Sequence, residues 1–295
     1  MNGHSRISIA LVCFIALSLP HRAAAQGNSQ NKGRAARPPA AAPASPSLAQ
    51  LAGTGVRNFG AWLDDSSIVA PHSGWAGFSI GYWKSPLGRQ IDVPSADIGY
   101  GLSPRVQVGF SMPYYRARYD AATASGLGDV YLNAKVNVVD ATRNSHRFGV
   151  AVVPVVEILS GLPEGTGRWK WGLPVSAEIQ QGPLRLYGAA GYFSRGAVFG
   201  SGAVEWTSPR GYTVTGTLTR GYSLAADPLS DALGLNRQRV DASASISRAL
   251  TSAIAVYGGV GRTLSRTDSN STRISLSGGV VTYFNGLVPD RTRHR

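Results

Sequence analysis

Residues 212–219 read Tyr-Thr-Val-Thr-Gly-Thr-Leu-Thr, a strict alternation of two unlike kinds of side chain. One face of this stretch carries Tyr212, Val214, Gly216 and Leu218, while every residue of the other face is threonine. Because successive side chains of an extended chain point to opposite sides, a period of two predicts a β-strand. The stretch therefore predicts a sheet that has an apolar environment on one side and a polar environment on the other.

The same period recurs through most of the chain. About twelve runs show it, at 74–83, 89–101, 104–115, 126–139, 146–158, 170–181, 183–194, 196–207, 210–222, 237–248, 251–263 and 272–285. Several runs exceed the usual length of globular strands and suit the ~9–11 residues that a membrane strand needs. An even number of long strands predicts an all-β fold, a single antiparallel transmembrane β-barrel of about 12 strands.

The connections between the runs favour a membrane barrel over a soluble lipocalin-like barrel, whose strands alternate as well. Short connections such as 102–105, 181–183 and 208–210 fall on one side of the predicted barrel, and longer ones such as 160–169 and 224–236 fall on the other. Outer-membrane barrels combine short periplasmic turns with longer external loops. Aromatic residues also gather at the ends of the runs, as they do at membrane interfaces.

The N-terminal part of the chain predicts export. Residues 1–25 have a basic start, an apolar stretch at 7–19 and small residues before Gln26, which is the layout of a cleaved signal peptide. Residues 26–50 form an Ala/Pro-rich stretch that predicts a disordered linker. We expect a periplasmic N-terminal segment at 51–73, the outer-membrane barrel at 74–285 and a C-terminal tail at 286–295. The predicted location is the outer membrane of a Gram-negative-type bacterium.

Composition excludes several other classes of protein. Of the 295 residues, 36 are glycine, only 15% are charged, and the one cysteine, Cys13, lies in the predicted signal peptide. The mature chain therefore has no disulfide and no thiolate metal site. The single apolar stretch of 7–19 is too short for a permanent membrane helix, so a polytopic helical membrane protein is excluded.

Two motifs resemble a known family. The stretch 97–114 carries Tyr-Gly-Leu at the end of one strand, a Ser-Pro-Arg turn and a second strand that ends in Pro-Tyr, and 126–135 reads Gly-Leu-Gly-Asp-Val-Tyr-Leu-Asn-Ala-Lys. Together and in this order they resemble the MetA-like outer-membrane family of the meta-pathway of phenol degradation. The resemblance is best over 75–140. It implies an exported channel or transporter associated with aromatic catabolism, and it implies no catalytic residues.

The residues themselves predict no chemical step. Beyond the predicted signal peptide, histidine occurs only as His72, His146 and His294, and none of these has the spacing of a metal pair. Asp64 and Asp65 alone are too few ligands for Ca²⁺. We therefore predict that the protein is not an enzyme and has neither a cofactor nor a metal. A lipid-modifying outer-membrane enzyme stays as an alternative, which would need a His and a Ser close together near the outer leaflet.

The alternation of faces along each run, called parity below, assigns a set of charged side chains to the interior of the barrel. This interior is called the lumen below. Its basic members are Arg105, Lys135, Arg168, Lys170, Arg185, Arg195, Arg237, Arg239 and Arg273. Its acidic members are Asp129, Glu157, Glu178, Glu205 and Asp241. Since charges that line a narrow pore bias which ions enter, the basic excess predicts a net basic lumen. Cross-barrel salt bridges that fill a closed lumen are the alternative.

Asp64 and Asp65 are the first acidic residues of the chain and precede the first predicted strand. We expect the segment that holds them to fold back into the periplasmic mouth as a plug and to pair with lumen Arg or Lys. A capped surface turn is the alternative.

The predicted function is an outer-membrane channel or transporter for small solutes, with aromatic-catabolism substrates implied by the resemblance. The expected partners are outer-membrane lipid and lipopolysaccharide, the barrel-insertion machinery and the small-molecule solute, without nucleic acid. A closed structural or surface-interaction barrel is the alternative from another class.

Overall fold

The computed structural model describes residues 63–86, 88–119, 123–141, 147–160, 168–224, 234–268 and 271–285. The predictions of a signal peptide at 1–25, a linker at 26–50 and a tail at 286–295 lie outside these residues, as do His146 and His294. Among the described residues, no helix is long and apolar enough to cross a membrane.

Within these described ranges, fourteen strands form one sheet. In chain order they are β1 (Ser73–Lys84), β2 (Gly88–Ser103), β3 (Val106–Tyr119), β4 (Thr123–Leu127), β5 (Val130–Val139), β6 (Phe148–Val152), β7 (Val155–Ile158), β8 (Trp169–Gln181), β9 (Leu184–Phe193), β10 (Ala197–Thr207), β11 (Tyr212–Ser223), β12 (Gln238–Ala249), β13 (Ile254–Thr263) and β14 (Ile274–Asn285).

Two of the predicted runs are each divided into two strands. β4 and β5 are separated by Gly128 and Asp129, and β6 and β7 are separated by Val153 and Pro154. Pro154 has no N–H to donate to a neighbouring strand, which explains the second interruption. Each pair follows one path across the sheet, so the strands make the 12 crossings of a closed antiparallel barrel. The predicted fold class is confirmed.

The barrel closes between its first and last strands. β1 pairs with β14 in an antiparallel ladder from Ser73↔Asn285 to Lys84↔Ile274. Closure joins the first and last strands of the chain through a full ladder, as a sheet that lies in lipid requires.

The two faces of the wall differ as the sequence predicts. On β11, Thr213 and Thr215 are buried in the interior, whereas Leu218 is 53% exposed on the outside. The outer face also exposes large apolar side chains of other strands, among them Phe78, Ile98, Val204, Ile246 and Leu276. A continuous apolar belt of this kind is typical of a surface that faces lipid.

The two ends of the barrel also differ. At the end where β1 begins, called the N-terminal end, tight turns such as 182–183 and 208–211 join the strands. Gly182 and Gly211 adopt positive φ there, at 57° and 78°, which glycine accommodates without strain. At the opposite end successive strands are further apart in the chain: β7 ends at Ile158 and β8 begins at Trp169, and β11 ends at Ser223 and β12 begins at Gln238.

Candidate functional site

Residues 63–72, which precede β1, run into the barrel at the N-terminal end. Near the rim, the backbone N–H of His72 donates to the carbonyl of Gly101 at 2.9 Å. Deeper inside, Leu63 is buried against Tyr187 and Ala203, which belong to the lumen wall of β9 and β10. Residues 63–72 are called the N-terminal segment below. The segment runs from the rim into the lumen.

Lys135 of β5 meets both acidic residues of this segment. Its Nζ donates hydrogen bonds to Asp64 Oδ1 at 2.7 Å and to Asp65 Oδ1 at 3.1 Å. A third hydrogen bond reaches the backbone carbonyl of Ser67 at 3.0 Å. A buried ammonium group is stable only when its charge and its donors are satisfied in this way. The segment supplies all three of these acceptors.

Arg185 of β9 extends the network across the lumen. Its Nη2 hydrogen-bonds to Asp65 and to Glu178 of β8, and its Nε donates to Glu178 Oε2 at 3.1 Å. Its Nη1 lies 4.0 Å from Glu205 Oε1 of β10. The planar guanidinium group suits such shared binding of carboxylates. These residues, Asp64, Asp65, Lys135, Glu178, Arg185 and Glu205, are called the mouth cluster below.

The pKa values of the two aspartates of the segment shift in opposite directions. Burial raises the pKa of Asp64 to about 6, with the neighbouring Asp65 acting in the same direction and Lys135 opposing it. Asp65 is equally removed from water, but Arg185 and Lys135 outweigh this and lower its pKa. Asp65 is therefore the more firmly ionised anchor of the segment.

Neutral groups of the wall hold the backbone of the segment. Asn137 Nδ2 donates to the carbonyl of Ser66 at 2.8 Å, and the N–H of Val69 donates to Gln107 Oε1 at 3.0 Å. These contacts come from β5 and β3. The segment is thus bonded to the wall through its main chain as well as through its carboxylates.

Two glycines of the wall leave room for the segment. A Cβ atom at Gly149 would lie 2.0 Å from Ser66 Oγ, and one at Gly101 would lie 2.4 Å from the carbonyl oxygen of Ala70. Contacts this short are sterically forbidden. The wall therefore accepts the segment only because these positions lack a side chain.

A second charged cluster lies nearer the opposite end. Arg195 donates through Nε and Nη2 to the two carboxylate oxygens of Glu157, both at 2.7 Å. Its Nη1 lies 3.6 Å from Asp129 Oδ2. Beside this cluster, Val153, Val155, Ala189, Phe193 and Phe199 form a buried apolar core. The lumen side of β3–β10, called the packed half below, is thus filled by ion pairs, apolar side chains and the N-terminal segment.

The rest of the lumen wall, from β11 through β14 to β1 and β2, has another character and is called the hydroxyl half below. Many of its inward side chains are Ser, Thr or Gly, and a cavity of about 70 Å³ lies against them. Trp75, Tyr257 and Tyr283 are larger and pack against the buried Ala255 and Val281 of the same half. The lumen-facing residues of this cavity include Ser79, Asp92, Ser95, Thr217, Ser243, Ser245, Ser275 and Ser277, with Gly81, Gly259 and Gly261 between them. The interior is therefore divided lengthwise into a packed half and a hydroxyl half.

The structure separates the predicted lumen residues into three groups. Buried in the interior are Lys135, Arg185, Asp129, Glu157, Glu178 and Glu205. Partly buried are Lys170, Arg195, Arg239 and Asp241, and Arg239 Nε pairs with Asp241 Oδ2 at 2.7 Å. Exposed next to strand ends are Arg105, Arg168, Arg237 and Arg273.

These positions correct the prediction of a net basic lumen. The buried charged residues of the described ranges are the carboxylates Asp64, Asp65, Asp92, Asp97, Asp129, Glu157, Glu178 and Glu205 and the cations Lys135 and Arg185. Even with the nearly buried guanidinium of Arg195 added, carboxylates predominate inside. The basic excess lies at the rims, because parity tells which side of the wall a residue faces and not how far from the rim it lies.

The sequence prediction missed Asp92 and Asp97 for a local reason. The β2–β3 register shifts between Asp92 and Ser95, which marks a β-bulge. A bulge inserts an extra residue and so breaks the alternation of faces. As a result Asp92, Ser95 and Asp97 are all buried, although strict alternation places Asp92 and Ser95 on opposite faces.

Of the described residues, His72 is exposed at the rim, and no group of three or more His, Cys, Asp or Glu residues is arranged to hold a metal ion. No protein-family model matches the sequence, and no curated protein matches it either.

Solved structures, in contrast, resemble the barrel. The COG4313 outer membrane channel from Pseudomonas putida F1 has a TM-score of 0.57 at 14% identity, over 75% of this chain and 98% of that one. The NanC porin has a TM-score of 0.53 at 11% identity, over 70% of this chain and 98% of the porin. This chain has the fold of outer-membrane β-barrels. At such low identity the likeness extends to the fold and not to the solute.

Proposed function

We propose that the protein is an outer-membrane channel that passes small solutes through the hydroxyl half of its lumen. The observation that carries this proposal is a closed barrel with an apolar belt outside and a cavity inside whose inward lining is mostly Ser, Thr and Gly, with Trp83, Asp92 and Tyr257. Hydroxyl groups can replace part of the hydration of a polar solute as it passes, and no chemical step is needed. The fold shared with outer-membrane channels supports the same function.

The proposal includes the location and the partners. The apolar outer face suits outer-membrane lipid, and the exposed Arg116, Arg118, Arg262 and Arg266 near the opposite end suit the phosphates of lipopolysaccharide. Export by a cleaved signal peptide and insertion by the barrel-insertion machinery belong to this proposal. Purified protein should need detergent, be rich in β-structure and migrate differently on gels before and after heating. A chain that stays soluble without detergent would contradict the membrane location.

The finer proposal is membership of the phenol meta-pathway outer-membrane family, with solutes of aromatic catabolism. Its support is the ordered pair of motifs at 97–114 and 126–135. Selective uptake by liposomes that contain the protein tests it, with a phenol compared against a sugar of similar size. Equal uptake of both compounds would be consistent with a channel but would contradict specificity for aromatic compounds.

We also propose that the N-terminal segment is a plug that narrows the passage at the N-terminal end. The support is its position inside the barrel and its ion pairs with Lys135 and Arg185. Because the segment occupies the packed half, it leaves the cavity of the hydroxyl half beside it.

Single-channel recording in planar bilayers tests the channel itself. We expect discrete current steps from the full chain. A closed structural barrel is the second candidate, and the filling of the packed half by ion pairs and by Phe193 and Phe199 favours it. Purified, correctly inserted barrels that carry no current would establish that candidate and overturn the channel.

A further inference from the structure

The hydroxyl half contains acidic side chains that the mouth cluster does not neutralise. Asp92 and Asp97 of β2 are 3% and 6% exposed. Gln90 Nε2 donates to Asp92 Oδ1 at 2.6 Å, and the hydroxyl of Ser111 hydrogen-bonds to Asp97. In the part of the chain that the structure describes, Asp97 forms no ion pair, and its Oδ1 is buried without a hydrogen-bond partner.

Further acceptor capacity lies next to these carboxylates. Ser95, between Asp92 and Asp97 on the inner face of β2, is 1% exposed, and its Oγ has no hydrogen-bond partner among the described atoms. Asp92 and Ser95 both line the cavity of about 70 Å³. Buried polar atoms that find no protein partner usually bind water or an ion. The cavity has room for several waters or for a small, partly hydrated ion.

The buried cations of the lumen are already committed elsewhere. Lys135 and Arg185 are bonded to Asp64, Asp65 and Glu178, and Arg195 is bonded to Glu157. All three belong to the packed half. In the hydroxyl half Arg239 pairs with Asp241 at 2.7 Å. Asp97, which forms no ion pair among the described residues, therefore leaves a negative charge beside the path.

We propose that the hydroxyl half of the lumen is a cation-preferring path in which Asp97 supplies the selecting charge, with Ser95 and Asp92 beside it. Carboxylates in a narrow path with weakly screening walls attract cations and repel anions. The neighbouring hydroxyl groups of Ser243, Ser245, Ser275 and Ser277 replace part of the hydration shell. The class of solute is a small cation, and this assignment rests on the proposed channel function.

The test is the reversal potential of the full-length protein in planar bilayers under a KCl gradient. We expect K⁺ to permeate in preference to Cl⁻. The Asp97→Asn variant should lower the K⁺/Cl⁻ permeability ratio by at least about twofold, because unit charges a few ångströms apart interact strongly in such a path. Asp268→Asn is the matched control, since it removes the same charge from the connection after β13 and should leave the ratio unchanged.

A second variant tests the same inference if the Asp97→Asn variant assembles poorly. Ser277 lies opposite Gly81 in the β1–β14 ladder and lines the cavity. Ser277→Lys adds a cation to the path and should remove or reverse the preference for K⁺. Wild-type protein that carries no current overturns the channel and this inference together. A current that prefers Cl⁻ overturns the cation path, and so does a K⁺/Cl⁻ permeability ratio that stays the same in Asp97→Asn and Ser277→Lys. In either case the proposed channel function would still stand.

Discussion

Lys135 Nζ lies 2.7 Å from Asp64 Oδ1, although the two residues are 71 positions apart in the chain. One partner belongs to the wall of the barrel and the other to the segment that precedes it. Both side chains are 4% exposed. Breaking a buried pair by removing one partner is strongly destabilising, by about 3–5 kcal/mol in soluble proteins. The contact therefore ties the position of the segment to the barrel.

Loss of Lys135 should release the segment. In Lys135→Gln, two buried carboxylates lose their ammonium partner, so the segment should leave the lumen and single-channel conductance should rise. The same substitution in a chain that lacks residues 51–70 should change conductance much less, because the segment is already absent. Effects that simply add in the double variant would show that Lys135 acts on the current directly.

Deletion of residues 51–70 should raise conductance and shift selectivity toward anions. The deletion removes Asp64 and Asp65 and leaves Lys135 and Arg185 facing the lumen water. The pair of substitutions Asp64→Asn and Asp65→Asn should reproduce part of this effect. Single-channel current and reversal potential measure both changes. Unchanged current in the deletion variant would mean that the segment is only a tether.

Steric displacement of the segment should act without any change of charge. A side chain at Gly149 meets Ser66, whereas one at Gly200 meets nothing within 4 Å. Gly149→Val should therefore push out the segment and raise conductance, and the equally large change Gly200→Val should not. The comparison is made by single-channel recording on heat-modifiable protein. Similar currents from both variants would contradict a plug that depends on Gly149.

Neighbouring residues of β11 test the assignment of the two faces. Leu218→Arg places a charge on the outer belt, which costs about 2–4 kcal/mol near the membrane midplane. Thr217→Arg places the same charge in the lumen, where Thr217 Oγ1 lies 2.6 Å from Ser243 Oγ. We expect far less heat-modifiable barrel from Leu218→Arg than from Thr217→Arg. Equal losses would mean that these residues do not face lipid and lumen.

The sequence was sufficient to predict the barrel because every strand that crosses it repeats the same alternation of side chains. The alternation at 212–219 appears again as β11, with threonines inside and Leu218 outside. The alternation could not predict local breaks in the strands, since the interruptions at Gly128 and at Pro154 depend on how neighbouring strands pair. The bulge after Asp92 is of the same kind. It puts Asp92 and Asp97 on the same face, whereas strict alternation would place only one of them inside.

The candidate site was only partly accessible from sequence. Parity assigned Lys135, Arg185 and Glu178 to the interior, where the structure also places them. It also assigned Arg105 and Arg273, which the structure places exposed next to strand ends. Gln107 and Asn137, which hold the backbone of the segment, carry no charge pattern that marks them. Their role follows from the path of the segment, which is a tertiary property.

The lengthwise division of the lumen has a practical consequence for anyone who wishes to turn this barrel into a sensor pore. Side chains of the packed half support one another, so enlarging the bore there would sacrifice ion pairs and the Phe193–Phe199 contact. The inward residues that line the cavity on β11, β12 and β14 are small, and the closure between β1 and β14 rests on a continuous backbone ladder. Groups that bind an analyte are therefore best introduced at inward positions such as Ser245 and Ser275.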